Sequence, residues 1–121
     1  MKKTFLIVDD SASMRQLVAF TIKDAGYDVL LAENGRDALE KLNRAKIDMV
    51  ITDLNMPEMD GITLIRELRG MADYKFVPIV MLTTESQEAK KLEGKDAGAS
   101  GWIVKPFSPD KLLLVVKKFI K

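Results

Sequence analysis

Apolar residues along this chain follow two alternating periods. Five short runs rich in β-branched and large apolar side chains recur: Thr4–Val8, Asp28–Leu31, Asp48–Thr52, Pro78–Leu82 and Gly101–Val104. Three of them are almost continuously apolar, which is the pattern of strands covered on both faces of a sheet. Between and after them the spacing changes to three and four. Met14, Leu17, Val18, Ile22 and Ala25 form one helical stripe, and Ala38, Leu39, Leu42 and Ala45 a second. Leu64, Ile65, Leu68 and Met71 form a third, and Leu112, Val115, Val116, Phe119 and Ile120 the last.

Boundary residues agree with these elements. Ser13 with Gln16 three positions on predicts a capping box. Gly26 follows the first helix, where a left-handed residue ends many helices. Ser108-Pro109-Asp110 reads as N-cap, N1 and N2. The weakest helix is Ser86–Ala97, with few apolar residues (Ala89, Leu92, Ala97), an internal Gly94 and six charged side chains from Glu88 to Asp96. A thinly packed, mobile element is expected there.

Strand and helix thus alternate five times, with crossovers long enough for parallel pairing. The fold class that follows is α/β, a (βα)5 doubly wound parallel five-stranded sheet with right-handed connections and helices on both faces. The 121 residues suit one domain, and no repeat, low-complexity tract or Pro/Gly/Ser linker divides them. The expectation is one domain over 1–121 with no appended output domain.

Composition narrows the chemistry. Nineteen basic and 18 acidic residues leave a net charge of +1, so no bulk field draws the chain to nucleic acid or to a membrane surface. The longest apolar runs, Phe5–Val8 and Leu112–Val116, are too short to span a bilayer. With no Cys and no His, disulfides, thiolate or imidazole metal sites and Ser-His-Asp triads are excluded, and a cytoplasmic location fits. Chemistry must then use carboxylates, hydroxyls, lysines or a bound metal.

Such residues follow the ends of different predicted strands: Asp9 and Asp10, Asp53, Thr83 and Thr84, and Lys105. In an open parallel sheet these positions share the carboxyl edge, where ligands bind. Three carboxylates in one crevice repel; unit charges ~4 Å apart at an effective dielectric of ~20 interact by about 4 kcal/mol. The cluster must take up protons, pair with Lys105 or hold a cation, and one lysine cannot balance three acids. Oxygen ligands without imidazole or thiolate suit Mg2+ or Mn2+. A hydroxyl and an ammonium beside such an ion can hold phosphoryl oxygens, and a carboxylate can accept a phosphoryl group covalently. The constellation reads as metal-assisted phosphoryl transfer onto one aspartate.

Four pieces, Val8-Asp9-Asp10-Ser11, Asp53-Leu54-Asn55-Met56-Pro57-Glu58-Met59-Asp60-Gly61, Leu82-Thr83-Thr84 and Val104-Lys105-Pro106-Phe107, occur in order at predicted strand ends. Together they resemble a response-regulator receiver domain, most of all the stand-alone CheY-type chemotaxis regulators, and the resemblance runs the length of the chain. It implies the flavodoxin-like strand order 2-1-3-4-5, which is the family's order and not a deduction from spacing. It implies Asp53 as phospho-acceptor, with Mg2+ held by Asp10 and Asp53 directly, by Asp9 largely through water and by the backbone carbonyl of Asn55. Thr83 and Lys105 are expected on phosphoryl oxygens, and the Lys105–Pro106 bond is expected to be cis. Asn55 and Glu85 are expected to tune hydrolysis of the acyl phosphate. Thr84 and Trp102 stand at the switch and partner positions, where the family more often has a smaller residue and a Tyr or Phe, so a bulkier indole meets a bulkier neighbour. Self-phosphorylation and self-dephosphorylation are the only catalysis implied. Because the chain has no histidine, the donor must be a separate protein, by resemblance a histidine kinase. A monomer that docks on a protein target, the flagellar motor switch in the chemotaxis case, completes the expectation.

Each feature also has a plainer account. An aspartate at a strand end is commonly a cap, a lysine a solvated charge, and Asp60-Gly61 a turn. Trp102 divides between half-buried packing and a partner surface. Three rival functions follow: a Mg2+-dependent aspartyl-phosphate phosphatase, a flavodoxin-like FMN carrier, and a receiver outside chemotaxis that serves as a phosphate sink. The first generally spaces its two acids on the first strand and carries a cap over its substrate. The second needs a hydroxyl- and glycine-rich phosphate loop where this chain has Asp9-Asp10-Ser11.

Overall fold

The computed structural model describes residues 2–43, 45–84 and 87–120. Strands β1 (Thr4–Val8), β2 (Asp28–Ala32), β3 (Met49–Asp53), β4 (Ile79–Thr83) and β5 (Gly101–Val104) form one parallel sheet in the order β2-β1-β3-β4-β5. Helices α1 (Ala12–Asp24), α2 (Gly35–Leu42), α3 (Gly61–Arg69), α4 (Glu88–Ala97) and α5 (Pro109–Phe119) follow the strands in turn. A short 3-10 turn, Ala72–Tyr74, lies before β4 and is the one regular element that the periodicity did not mark.

Side chains along the central strands sort by parity onto two cores, since successive strand residues face opposite ways. Phe5 and Ile7, Met49 and Ile51, Val80 and Leu82 join Val18 and Ile22 of α1 and Leu112 and Val116 of α5. Leu6 and Val8, Val50, Ile79 and Met81 join Leu42 of α2, Leu64, Ile65 and Leu68 of α3 and Ala97 of α4. The near-continuous apolar runs are therefore two interleaved stripes, each with its own helical cover.

Two local expectations need correction. The N-cap of α1 is Ser11, whose Oγ accepts the Met14 N–H at 3.3 Å; Ser13 lies inside the helix, so Ser13 and Gln16 form no capping box. Helix α2 ends at Leu42, with Asn43 left-handed at φ 35°, so Ala45 packs on the core from outside the helix. The Ser108 cap with Pro109 in the first turn is as expected, as are Gly26 at φ 99° after α1 and the cis Lys105–Pro106 bond. The interrupting Gly94 of α4 faces Met81 of β4, with no room for a Cβ before the Met81 Sδ. Its missing side chain is what lets α4 approach the sheet.

Candidate functional site

Strand register brings the chemistry together. Val8 pairs with Thr52 and Thr52 with Met81, so the next residues, Asp9, Asp53 and Leu82, leave the sheet side by side. Thr83 pairs with Val104, which delivers Lys105 one residue later; its N–H donates to the Thr83 carbonyl at 2.6 Å. Carboxylate oxygens of Asp9, Asp10 and Asp53 lie within 4.8 Å of one another. The Lys105 Nζ donates to Asp53 Oδ1 at 3.0 Å and stands 3.9 Å from Asp9 Oδ2.

Burial differs sharply among these groups. Asp9 and Thr83 are fully buried, Asp53 and Lys105 are half-buried, and Asp10 is exposed. Asp9 Oδ1 accepts the Ser11 N–H at 2.9 Å, whereas Asp9 Oδ2 and the Thr83 hydroxyl have no hydrogen-bond partner among the described residues. Buried polar atoms ordinarily have one, and two orphans at one sheet edge point to a ligand that both were shaped to meet. Burial pushes the Asp9 carboxyl above its ordinary value of 3.8; the Ser11 N–H and Lys105 work against this, while Asp53 and Asp10 add to it. Such a cluster is electrostatically incomplete. Its donor set is oxygen only, and hard divalent cations such as Mg2+ fit it.

Backbone at the site is closely built. The Gly61 N–H donates to the Leu54 carbonyl at 2.9 Å, and a Cβ on Gly61 would run into the Asp53 carbonyl oxygen. Asp60 caps α3 by accepting the Thr63 N–H at 2.8 Å, so Asp60-Gly61 is both a turn and a support for the Asp53 backbone. Gly61 was legible in the sequence only as turn chemistry. Arg15 was not singled out at all: its guanidinium reaches the Asp9 carbonyl at 2.7 Å, and nothing in a polar helical residue announces that contact.

The remaining expected residues lie at the rim. Asn55 is exposed on the loop after β3, two residues beyond Asp53. The Thr84 N–H donates to Gln87 Oε1 at 2.7 Å, leading into α4, and Glu85 lies outside the described residues. Trp102 is 44% exposed, with the Lys91 ammonium 5.9 Å over its ring. The indole thus stands on the surface beside α4.

Comparison with known proteins agrees with this geometry. The response regulator receiver domain family matches residues 5–117. The chemotaxis protein CheY1 of Helicobacter pylori is 45% identical over 109 residues, covering 88% of each chain. The chemotaxis response regulator CheY4 of Vibrio cholerae superposes with a TM-score of 0.93 at 48% identity, covering 99% of this chain and 100% of that one. A receiver domain from a Pseudomonas aeruginosa sensor histidine kinase, described with a magnesium ion coordinated in its active site cleft, superposes at 0.90 with 25% identity, over 99% and 98% of the two chains. Agreement of this extent in sequence and backbone alike leaves one conclusion, that the chain belongs to the response regulator receiver domain family.

Proposed function

We propose that this receiver accepts a phosphoryl group on Asp53 from the phosphohistidine of a histidine kinase and signals by changing its protein-binding face. The observation that carries this reading is the pairing of Lys105 Nζ with Asp53 Oδ1 at 3.0 Å beside two buried oxygens, Asp9 Oδ2 and Thr83 Oγ1, that have no hydrogen bond among the described residues. A carboxylate oxygen of Asp53 attacks phosphorus; the O–P bond forms, the P–N bond to the donor imidazole breaks, and the departing nitrogen keeps the electron pair and is protonated. The Lys105 ammonium and Thr83 hydroxyl donate to the transferred phosphoryl oxygens, where charge concentrates. Asp9, Asp10, Asp53 and the Asn55 backbone carbonyl would hold Mg2+, or Mn2+, which when bound offsets carboxylate and phosphoryl charge. Hydrolysis reverses the modification when water attacks phosphorus and the Asp53 carboxylate leaves; Asn55 at the rim, with Glu85, sets access for that water.

Receiver domains are signalling modules, not enzymes acting on outside substrates, and the effect leaves through contact with a protein target. Added charge draws Thr83 and Lys105 toward Asp53, and both lead directly into the surface that carries Thr84 and Trp102. Relatives named as chemotaxis proteins support the flagellar motor switch as that target.

Intact-mass measurement after incubation with a small acyl-phosphate donor and Mg2+ tests the assignment. One phosphoryl group is expected on the wild-type chain and none on Asp53→Asn. Equal modification of both proteins would show that the acceptor lies elsewhere. Capture of binding partners with and without beryllofluoride then reads whether the face changes.

A further inference from the structure

The β1–α1 connection is closed by a ring of hydrogen bonds, one of which comes from a residue with no role in the chemistry above. Asp9 Oδ1 accepts the Ser11 N–H at 2.9 Å, the Ser11 carbonyl accepts the Arg15 N–H at 2.9 Å, and the Arg15 guanidinium returns to the Asp9 carbonyl at 2.7 Å. On the other side the Asp9 N–H donates to the Ala32 carbonyl at 3.1 Å. The Asp9 side chain and both of its peptide groups are therefore anchored. Asp10 differs: it is exposed, and its side chain makes no hydrogen bond among the described residues. The peptide plane before Asp10 fixes the direction in which its Cα leaves β1, and the Asp9 carbonyl in that plane is held by Arg15.

We propose that Arg15 is a positioning residue that aims the Asp10 carboxylate at the acidic crevice by fixing the Asp9–Asp10 peptide, and so sets the affinity of the site for a divalent cation. This rests on the metal-assisted reading of the site given above. The effect runs through geometry more than through field. Burial, Ser11, Asp53, Lys105 and Asp10 are what perturb the Asp9 carboxyl, whereas the charge of Arg15 acts on Asp37 in α2, whose carboxyl lies below its ordinary range chiefly through the Glu33 N–H. An arginine suits the task because its planar fork keeps one donor on a carbonyl with little loss of freedom per bond. Groups that orient metal ligands without touching the ion commonly change affinity by about 10–100-fold when removed.

The test is a Mg2+ titration by isothermal titration calorimetry on wild type, Arg15→Met and Arg15→Lys. Arg15→Met is expected to weaken Mg2+ binding about tenfold at both low and high salt, with far-ultraviolet circular dichroism unchanged at the temperature of the titration. Arg15→Lys, which keeps the charge but not the fork, should recover only part of the loss. Binding by Arg15→Met within about twofold of wild type would overturn the inference. So would tighter Mg2+ binding by Arg15→Met at low salt that returns to the wild-type value in about 1 M salt, where charges farther apart than about 3 Å are screened, because removing a cation beside the site favours Mg2+ through charge alone. Complete repair by Arg15→Lys would also overturn it, by showing that the fork is not needed. Phosphoryl uptake by Asp53→Asn overturns the acceptor assignment alone, and a wild-type chain that binds no Mg2+ in the calorimeter overturns both, so the failures are distinguishable.

Discussion

The least comfortable of the described residues is Asp9, a fully buried carboxyl with one oxygen that accepts no hydrogen bond among them and two other carboxylates nearby. Its raised pKa means that the folded chain retains this proton at pH values where the unfolded chain has released it. Stability therefore falls as pH rises from the ordinary 3.8 through the raised value, because burial disfavours the charged form. Asp9→Asn removes the titration. It should melt above wild type at pH 7 in a metal chelator, with the difference shrinking as the pH is lowered toward the ordinary carboxylate range. A lower melting temperature at pH 7 would show that the Asp9 carboxylate is instead held by partners strong enough to offset burial. Residue types and strand-end positions were enough to single out Asp9, Asp10, Asp53, Thr83 and Lys105. Which of them is buried was not legible, because burial depends on what α1 and the neighbouring strands lay over each position. The same holds for Arg15, whose bond spans six residues and exists only once β1 has turned into α1.

At the scale of elements, glycines separate what pattern can show from what it cannot. Gly61 opens α3 and Gly70 closes it, and only Gly61, in the Asp60-Gly61 turn, was singled out in the sequence. A Cβ at Gly61 collides with the Asp53 carbonyl and meets Leu54 Cα at 3.0 Å, backbone atoms that cannot step aside, whereas at Gly70 the nearest atom is 3.5 Å away. Gly61→Ala should therefore cost about 1–3 kcal/mol in denaturant unfolding and slow phosphoryl uptake by shifting the Asp53 backbone. Gly70→Ala, with φ −79°, should be neutral or stabilise by up to about 1 kcal/mol through the unfolded chain. Equal effects at the two sites would remove the argument from close approach. Helix α4 was legible as the weak element: Gly94 and Ala97 are its only buried residues, and its N-cap Gln87 makes no side-chain capping bond. Its Gly94, however, is demanded by Met81 of the preceding strand β4, a contact that exists only once α4 has folded back onto the sheet.

For the whole molecule, the sheet and the acidic edge are one arrangement. Residues that pack between layers up to Val8, Thr52 and Leu82 are followed at once by groups that no apolar layer can accept, so charge collects at one rim of a stable platform. No described helix is long and apolar enough to cross a membrane. A cation that binds only the assembled rim stabilises the whole fold by mass action, by about 2.7 kcal/mol at one hundred times its dissociation constant. Saturating Mg2+ should accordingly raise the melting temperature of wild type, and a chelator should reverse the gain; Asp53→Asn, short of one carboxylate, should gain less. No shift for wild type would mean that the rim holds no ion. The sequence by itself determined the five strand–helix repeats, because periods of two and of three to four are local consequences of how side chains leave a strand or a helix. It also determined the inventory of chemistry, since a chain with no histidine or cysteine and with acids at its strand ends has few other means. Tertiary structure alone decided the parity that divides each apolar run between two cores, the 3.0 Å pairing of Lys105 with Asp53, and the two buried oxygens with no hydrogen bond among the described residues. These depend on register between strands distant along the chain, and register is set by the packing of all the layers at once.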